Sequence, residues 1–293
     1  MQLGFGILPI YSRTPALLAQ TAAGLDEVSG GRAILGLGAS GPQVIEGWHG
    51  VAYDRPLERT REIVAICRRI WRRQVLEHAG ACYTLPLPRE RGAATGLGKA
   101  LKLLTHPARR AIPIYLAALG PANVALAAEV ADGWLPLFYV PELAAETWGA
   151  ALRQGRARRE PELGPLEIVA GGPLAIGEGV EEAREAMRQE LALYVGGMGA
   201  RGMNFYNRLL GRYGYAREAE QIQTLYLEGR AREAAALVPE RLLDLLTLAG
   251  PAERVKERIA AFKAAGVTLL NVSPIGPRPA RIVAQVKEWA AGA

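Results

Sequence analysis

Hydrophobic residues along the chain alternate between short unbroken apolar runs and longer segments with an apolar stripe at helical spacing. The apolar runs start near residues 3, 33, 112, 134, 168 and 268, and most are followed by a glycine or polar turn and then a proline. Continuous apolar runs are typical of strands buried on both faces, and proline is favoured at the first position of a helix. The pattern therefore predicts an α/β protein built of strand–helix units around a parallel sheet.

Two folds fit this alternation, an open doubly wound sheet and a closed (β/α)8 barrel. In both, ligand sites lie at the C-terminal ends of the strands. The segment 178–249 is almost entirely helical in pattern and predicts a helical insert before the last strand. Six strands are predicted, whereas a closed barrel needs eight. They are 3–10, 33–38, 112–118, 134–140, 167–176 and 267–273.

Composition narrows the class of protein. The 293 residues are half apolar, enough for one large domain, 1–293, with a substantial core. The net charge of +6 comes mostly from arginines on predicted helix faces, without the basic stripe and interleaved aromatics of a nucleic-acid site. Two cysteines and no apolar run of membrane-spanning length predict a reduced, cytoplasmic protein without nucleic-acid or membrane partners.

Three glycines after residue 35 spell a dinucleotide-binding fingerprint, G-x-G-x-x-G, at Gly36, Gly38 and Gly41. That fingerprint needs a helix that opens at the third glycine and an acid about 20 residues further on, at the end of a second strand. The segment 42–50 has no helical stripe, and the acids at the right distance fall inside the helix predicted from Pro56. We therefore reject the Rossmann interpretation and expect a different ligand site at this strand end.

Two turns have the position and composition of an anion site. Gly120-Pro121-Ala122-Asn123 follows a predicted strand and starts a helix, whose free N–H groups and dipole suit a phosphate. An ordinary strand–helix turn is the competing interpretation. Ala39-Ser40-Gly41 follows another strand in the same way. Two such turns at one strand edge would suit a phosphorylated cofactor.

Other candidate residues carry weaker signals. His49, in a glycine-rich turn, is a weak catalytic candidate, with packing or turn hydrogen bonding as the competing explanation. We expect His78 and His106 on the surface. The spacing of histidines, cysteines and acids predicts no metal site. Glycines at 196–199 interrupt a helical region, which predicts either a mobile lid or a helix–helix turn.

Five segments of the chain carry a resemblance to a known family: GFGILPIYSRTP, LDEVSGGRAILGLG, GWHG with Tyr53, IYLAALGPANVALAAEVADGW and YVGGMG…NFYN. Together they resemble the bacterial luciferase-like flavin and deazaflavin oxidoreductases, and more narrowly their coenzyme F420-dependent branch. The resemblance covers nearly the whole chain, and its last segment favours the narrower branch. It implies a TIM-type (β/α)8 barrel with a helical insert after the seventh strand and a deazaflavin across the strand ends.

The resemblance also implies three groups of cofactor-binding residues. They are a non-proline cis peptide behind the ring, a turn that contacts the cofactor, and a turn that holds its phosphate-bearing tail. The matching positions are, in that order, Gly6-Ile7, Ala39-Ser40, and Leu119-Gly120 with Ala122 and Asn123. The implied chemistry is hydride transfer between the deazaflavin and an organic substrate, with the protein supplying orientation and shielding from water.

Two departures from the family pattern affect these expectations. Gly41 and Pro42 stand where a sugar-phosphate dehydrogenase of the family has an acidic proton donor, so we do not expect that substrate. Met1 matches the start of the third strand, so the first two strand–helix units have no counterpart. We expect a misassigned start codon, with a truly shortened chain as the alternative.

Three functions stay open from the sequence. The first is an F420-dependent oxidoreductase that acts on an unknown organic substrate. The second is an FMN-dependent monooxygenase of the same fold, and the third is a truncated, non-catalytic remnant that still binds the cofactor. A homodimer is expected by analogy with the family.

Overall fold

The structure, a computed structural model, describes residues 1–92 and 94–292. Ala93, inside a connection predicted to be irregular, and Ala293, the last residue of the predicted domain, lie outside the described residues. The chain forms two compact units, so the single-domain interpretation stays a prediction. The first unit is Met1–Ala118, Ala122–Trp134 and Gln154–Leu166, and the second is Leu119–Pro121, Leu135–Arg153 and Glu167–Ala293.

The first part of the chain, through Leu135, alternates strands with helices. Strand β3 pairs in parallel with β1, β2 and β6, whereas β4 and β5 form an antiparallel hairpin. The elements are β1 (Leu3–Gly4), β2 (Leu8–Pro9), α1 (Pro15–Val28), β3 (Ala33–Gly38), α2 (Pro42–Gly47), α3 (Pro56–Trp71), β4 (His78–Ala79), β5 (Thr84–Leu85), β6 (Ile114–Ala117), α4 (Pro121–Val130) and β7 (Gly133–Leu135).

The rest of the chain is mainly helical. Strand β8 pairs in parallel with both β9 and β10, and the predicted helical insert is present as α6–α10. None of the helices in residues 1–92 and 94–292 is long and apolar enough to cross a membrane. The elements are α5 (Pro141–Arg156), a 3₁₀ turn (Pro161–Leu163), β8 (Glu167–Ile176), α6 (Val180–Ala192), a π-helix (Leu193–Gly197), α7 (Phe205–Arg212), α8 (Ala216–Leu227), α9 (Ala231–Ala236), α10 (Glu240–Leu246), β9 (Leu248–Gly250), α11 (Ala252–Ala264), β10 (Leu269–Pro274) and α12 (Pro279–Gly292).

Strand β3 is the central strand of the first unit, and all six of its residues are buried. Its N-terminal end is fixed by a buried ion pair. Asp26 on α1 accepts the Ala33 N–H at 3.1 Å and Arg109 Nη2 at 2.5 Å, and Arg109 also donates to the Ala33 carbonyl at 2.6 Å. Because Asp26 is fully buried, this ion pair fixes the position of β3 along α1. It thereby also fixes the position of the C-terminal end of β3.

The six predicted strands are all present, and those predicted at 3–10 and 134–140 differ most from the prediction. The segment 3–10 forms two short strands separated by residues 5–7. The segment predicted from Trp134 onward is a strand only as far as Leu135. Phe138 has a φ of 53°, in the left-handed region that a strand residue does not adopt, so the chain turns there.

Several short elements were not predicted. Helix α2 occupies a segment that we expected to be non-helical, and the prediction failed because Ile45 is its single buried side chain and leaves no visible stripe. Strand β9 has three residues and directly follows the equally apolar α10, so its pattern merged with that of the helix. The β4–β5 hairpin lies in the connection expected to be irregular, and two-residue strands carry no periodicity.

His78 was expected on the surface, and this prediction was wrong. Its Nε2 lies 2.9 Å from Glu62 Oε2, and Glu62 also accepts the N–H groups of Cys82 at 3.0 Å and Tyr83 at 2.9 Å. Burial alone would raise the pKa of Glu62, but these hydrogen bonds outweigh it and hold the pKa below its usual value. Glu62 thus ties the β4–β5 hairpin to α3. His106 is exposed, as predicted.

Candidate functional site

A small cleft opens where β3 and β6 end. The parallel register places Gly38 beside Ala117, so the C-terminal ends of the two strands are neighbours. The interior volume of the cleft is about 10 Å³, room for roughly one water molecule. Its lining consists of Leu37, Gly38, Ala39, Thr60, Leu116, Ala117, Ala118, Asn123 and Leu126.

Two predicted cofactor-binding residues, Ala39 and Asn123, therefore meet at one cleft, although they are far apart in the sequence. Ala39 follows β3, and Asn123 lies in the first turn of α4. Thr60, on the buried side of α3, also lines the cleft, and the sequence did not identify it. The small residues at both strand ends leave main-chain atoms accessible at the cleft.

The glycines of β3 make room for a neighbouring segment of the chain. A Cβ on Gly36 would lie 2.1 Å from the Gly6 carbonyl oxygen and 2.3 Å from that of Phe5. A Cβ on Gly38 would lie 2.7 Å from Ile7 Cγ2. Both glycines thus permit the close approach of the segment 5–7 rather than of a ligand.

The predicted residues Gly6 and Ile7 accordingly lie against β3, but the peptide between them is trans. Within residues 1–92 and 94–292, the cis peptide bond is Leu85–Pro86. A non-proline cis bond costs about 3 kcal/mol and needs surroundings that enforce it. Ile7 is 54% exposed, so the packing around it does not provide such a constraint.

The turn after β3 is held by an aromatic side chain. Ser40 has a φ of 59°, which is uncommon for a residue with a side chain. The Tyr53 hydroxyl donates to the Ser40 carbonyl at 3.3 Å, and its ring lies 5.2 Å from that of Tyr11. Burial raises the pKa of Tyr53, so this hydroxyl stays a donor throughout the neutral range.

Arg59 fixes the connection that carries Tyr53. Its guanidinium donates to Asp54 Oδ1 at 2.5 Å and to the Tyr83 hydroxyl at 3.1 Å. It also lies 4.8 Å from the centroid of the Tyr11 ring, within cation–π range. The Tyr11 hydroxyl in turn donates to the Asp54 carbonyl at 2.7 Å. This cluster was not predicted because its members come from four separate segments.

The turn after β6 is held by two tryptophans. Trp134 Nε1 donates to the Ala118 carbonyl at 2.9 Å, and Trp148 Nε1 donates to the Leu119 carbonyl at 3.0 Å. Gly120 and helix α4 follow directly. The first turn of α4 lies wholly within the described residues and contains no acidic side chain, so its own sequence does not neutralise the positive end of the helix.

His49, the weak catalytic candidate, lies just after α2. It is half-buried, and its peptide N–H donates to the Val44 carbonyl at 3.2 Å. His49 is not among the residues that line the cleft. A catalytic role for it stays a prediction.

The glycine-rich break near 196–199 is packed in the manner of a helix–helix turn. Cβ atoms on Gly196 and Gly197 would lie 2.4 Å and 2.6 Å from atoms of Tyr226. Asn204 caps α7 and donates to the Tyr194 and Val195 carbonyls, both at 2.9 Å. The alternative role as a lid stays a hypothesis.

Known proteins share both the sequence pattern and the fold of this chain. The sequence profile described as Luciferase-like monooxygenase matches residues 1–269. A putative coenzyme F420-dependent oxidoreductase of Mycobacterium tuberculosis is 44% identical over 277 residues, which are 93% of this chain and 79% of that protein. The 5,10-methylenetetrahydromethanopterin reductase of Archaeoglobus fulgidus is 30% identical over 286 residues, which are 94% of this chain and 78% of the reductase.

A solved structure gives the same result. The coenzyme F420-dependent tetrahydromethanopterin reductase from Methanopyrus kandleri matches 100% of this chain and 83% of its own, with a TM-score of 0.75 and 25% identity. The chain belongs to the bacterial luciferase-like family. Its similarity to F420-dependent oxidoreductases confirms the predicted branch and shows that it is an enzyme. The predicted fold class, the α/β TIM-type barrel of this family, is also confirmed.

Proposed function

We propose that this enzyme binds coenzyme F420 at the ends of β3 and β6 and transfers a hydride between the deazaflavin and a small organic substrate. The cleft where Ala39 and Asn123 meet is the observation that carries the proposal. Relatives named as F420-dependent oxidoreductases support the choice of cofactor over FMN. The relatives named as reductases of a methylenetetrahydromethanopterin favour an electrophilic carbon compound as the hydride acceptor.

The chain's residues fit this cofactor on two counts. The first turn of α4 offers peptide N–H groups and the positive end of a helix, and it lacks an acidic side chain that would repel a phosphate. The small residues at the strand ends would let a flat ring lie over the mouth of the cleft, close to the main chain, since the cleft interior of about 10 Å³ is too small to hold the ring. When bound, the deazaflavin supplies the carbon that accepts or donates the hydride.

We assign each predicted residue to one part of the cofactor or to the reaction. Ala122 and Asn123 bind the phosphate-bearing tail through their main chain, and the Asn123 amide adds a further donor. Ala39 and Ser40 contact the ring, and Tyr53 keeps the Ser40 turn in its strained form. Leu119 and Gly120 form the tail-binding turn, Gly6 and Ile7 back the ring, and His49 is the candidate proton donor.

The setting of the enzyme also forms part of the proposal. Cys67 and Cys82 are free thiols, which agrees with a reducing, cytoplasmic location. A homodimer and a single domain are proposed from the family alone, and neither a nucleic acid nor a membrane is proposed as a partner.

The test of this function is a binding titration followed by turnover. Purified protein is titrated with F420 and, separately, with FMN, with cofactor fluorescence as the signal. Reduced F420 is then mixed with protein and methylenetetrahydromethanopterin as the first acceptor. We expect micromolar or tighter binding of F420 and weaker binding of FMN. Preferred binding of FMN, or binding of neither cofactor, would overturn the proposal.

A matched pair of variants tests the location. Ala39→Leu fills the cleft, whereas Ala52→Leu adds the same atoms to an exposed position in the next connection. F420 affinity should fall at least about tenfold in the first variant, because even one misplaced side chain in a binding site is felt by about 1.4 kcal/mol or more. Equal affinities in the two variants would place the cofactor elsewhere.

A further inference from the structure

Two tyrosines of the helical insert meet because a buried asparagine joins the segments that carry them. Asn204 is 1% exposed and donates its side-chain amide to the Tyr194 carbonyl at 2.9 Å. Its Oδ1 accepts the peptide N–H of Tyr206, also at 2.9 Å. The two tyrosine rings lie edge to face, with centroids 4.8 Å apart and an interplanar angle of 85°. The pair of rings therefore has a fixed geometry.

Phe138 supports both rings from the interior. It is 4% exposed, and the centroid of its ring lies 5.6 Å from that of Tyr194 and 6.1 Å from that of Tyr206. Its positive φ is a genuine outlier for so bulky a residue, and its carbonyl accepts the Tyr213 hydroxyl at 2.7 Å. Strained residues of this kind cluster at functional sites, and so do π-helices, one of which carries Tyr194.

Glu190 adds a carboxylate beside these rings. It precedes Tyr194 by four residues, a spacing that places side chains on the same face of a helix. Burial and the nearby Glu190 carboxylate both raise the pKa of Tyr194, and burial raises the pKa of Glu190 itself. Among the residues that the structure describes, the Glu190 carboxylate and the hydroxyls of Tyr194 and Tyr206 have no hydrogen-bond or ion-pair partner.

We propose that Glu190, Tyr194 and Tyr206 form a binding site for a small organic amine that has an aromatic ring and is protonated. A carboxylate that is partly removed from water and has no cationic partner is stabilised by a bound cation. The two hydroxyl oxygens can accept N–H groups, and the faces of tyrosine rings attract a cation. The rings also offer apolar area to the ring of the ligand, whereas an anion would be repelled by the carboxylate.

The test measures the binding of benzylamine, which is protonated at neutral pH, by calorimetric titration. Benzyl alcohol is the control ligand, because it has nearly the same size and shape without the charge. The variants Glu190→Gln and Glu182→Gln form a matched pair, since Glu182 is an exposed acid on the same helix. Glu190→Gln removes a charge that has no partner in the protein, so it should fold like the wild type, which circular dichroism checks.

We expect the wild type and Glu182→Gln to bind benzylamine alike. Glu190→Gln should bind it at least about tenfold more weakly, the size of a hydrogen bond to a charged group. Tyr206→Phe should bind it about fivefold more weakly, the size of one neutral hydrogen bond. Benzyl alcohol should bind more weakly than benzylamine to the wild type. Absence of saturable benzylamine binding, or equal affinities in the two glutamine variants, would overturn the inference.

A third ligand identifies the kind of molecule that the site accepts. Nα-acetyl-lysine amide presents the same ammonium group on a flexible chain without a ring, so it should bind more weakly than benzylamine. Equal or tighter binding would indicate the lysine side chain of another protein and would overturn the assignment to a small amine. The four residues lie within the second compact unit, and all titrations are made without F420. Failure of either inference would therefore leave the other intact.

Discussion

The chain begins two of its helices with the same residues, Gly-Pro-Ala, and the two helix starts have opposite electrostatic character. The first is Gly120–Ala122 at α4, and the second is Gly250–Ala252 at α11. The first lies three residues after the end of β6, and the second begins with the last residue of β9. The fourth residue is Asn123 in the first case and Glu253 in the second. One helix start is thus neutral in its own sequence, and the other carries a carboxylate.

The groups around the two helix starts also differ in their charge and hydrogen bonding. Glu253 lies at the positive end of α11, where a carboxylate is stabilised, and it pairs with Lys256 at 2.8 Å. The Gly250 carbonyl accepts a peptide N–H from Gly177, an ordinary main-chain bond. At α4 the carbonyls of Ala118 and Leu119, which lie just before the motif, accept hydrogen bonds from two buried indoles. The comparison teaches that a helix start becomes a candidate anion site through the residue after the motif and the donors behind it, not through the motif.

The largest expected effect concerns the structural role of α11. Arg258 is 2% exposed, forms an ion pair with Glu142, and donates to the Leu245 carbonyl at 2.5 Å. We expect Arg258→Met to lower the free energy of unfolding by about 3 kcal/mol, because it leaves these acceptors without their donor. Denaturant unfolding followed by circular dichroism measures the loss.

The control for this variant lies one turn earlier on the same helix. Arg254→Met removes a more exposed arginine whose partner Glu257 is 3.6 Å away, and it should cost less than about 0.5 kcal/mol. Neither change should alter F420 affinity. A loss of cofactor binding in Arg258→Met under conditions where the protein is folded would contradict the assignment of α11 as structural.

The second effect concerns charge at α4. Asn123→Asp changes the charge with almost no change in size and makes the first turn of α4 resemble that of α11. We expect F420 to bind about 30-fold more weakly, or about 2 kcal/mol, because a carboxylate then faces the anionic tail. Glu253→Gln is the matched charge change at α11 and should leave affinity within about twofold. Similar titrations for the two variants would show that the helix starts are equivalent.

The smallest effect is a pH dependence at the far end of α4. Arg61 donates to both oxygens of Glu129, at 2.6 and 2.8 Å, and lowers the pKa of that carboxyl. A lowered pKa adds stability above the unfolded value, about 4.3, and the contribution disappears as pH falls through the folded value. Because Arg61 is 48% exposed, we expect only about 0.5 kcal/mol.

The free energies of unfolding of the wild type and of Glu129→Gln should therefore differ slightly at pH 7 and converge once the pH falls below the lowered pKa of Glu129. Glu257→Gln serves as the comparison, since its pair with Arg254 is 3.6 Å apart, exposed on both sides, and should contribute almost nothing at any pH. A difference that persists at low pH would assign the effect of Glu129 to packing instead of charge.

Long elements could be predicted from the sequence, and short ones could not. Strand β3 is an apolar run of six residues, and the ten-residue strand β8 has no charged residue after Glu167, so both could be recognised. In contrast, α2 buries one side chain, that of Ile45, and β9 is only three residues long. Elements of this size are formed by tertiary contacts, so their local sequence carries little of the information that specifies them.

The candidate site, like the fold, could be predicted from the sequence only in part. Ala39 and Asn123 could be found because each follows a strand end, and chain topology alone brings strand ends together. Thr60 and Trp148 could not, because their places depend on how helices pack beside the strands. The predicted cis peptide at Gly6-Ile7 was wrong, since it required packing around Ile7 that the chain does not have.

The close packing around Gly36 affects how sequence variation at this position would be interpreted. Any side chain there would overlap main-chain atoms of the neighbouring segment, so selection would reject nearly every replacement even if the protein bound nothing. Invariance at this glycine would look the same as invariance at a ligand contact. A survey of tolerated substitutions would therefore flag this part of the G-x-G-x-x-G motif for reasons of assembly, and unrelated folds under the same steric demand could arrive at the same letters independently.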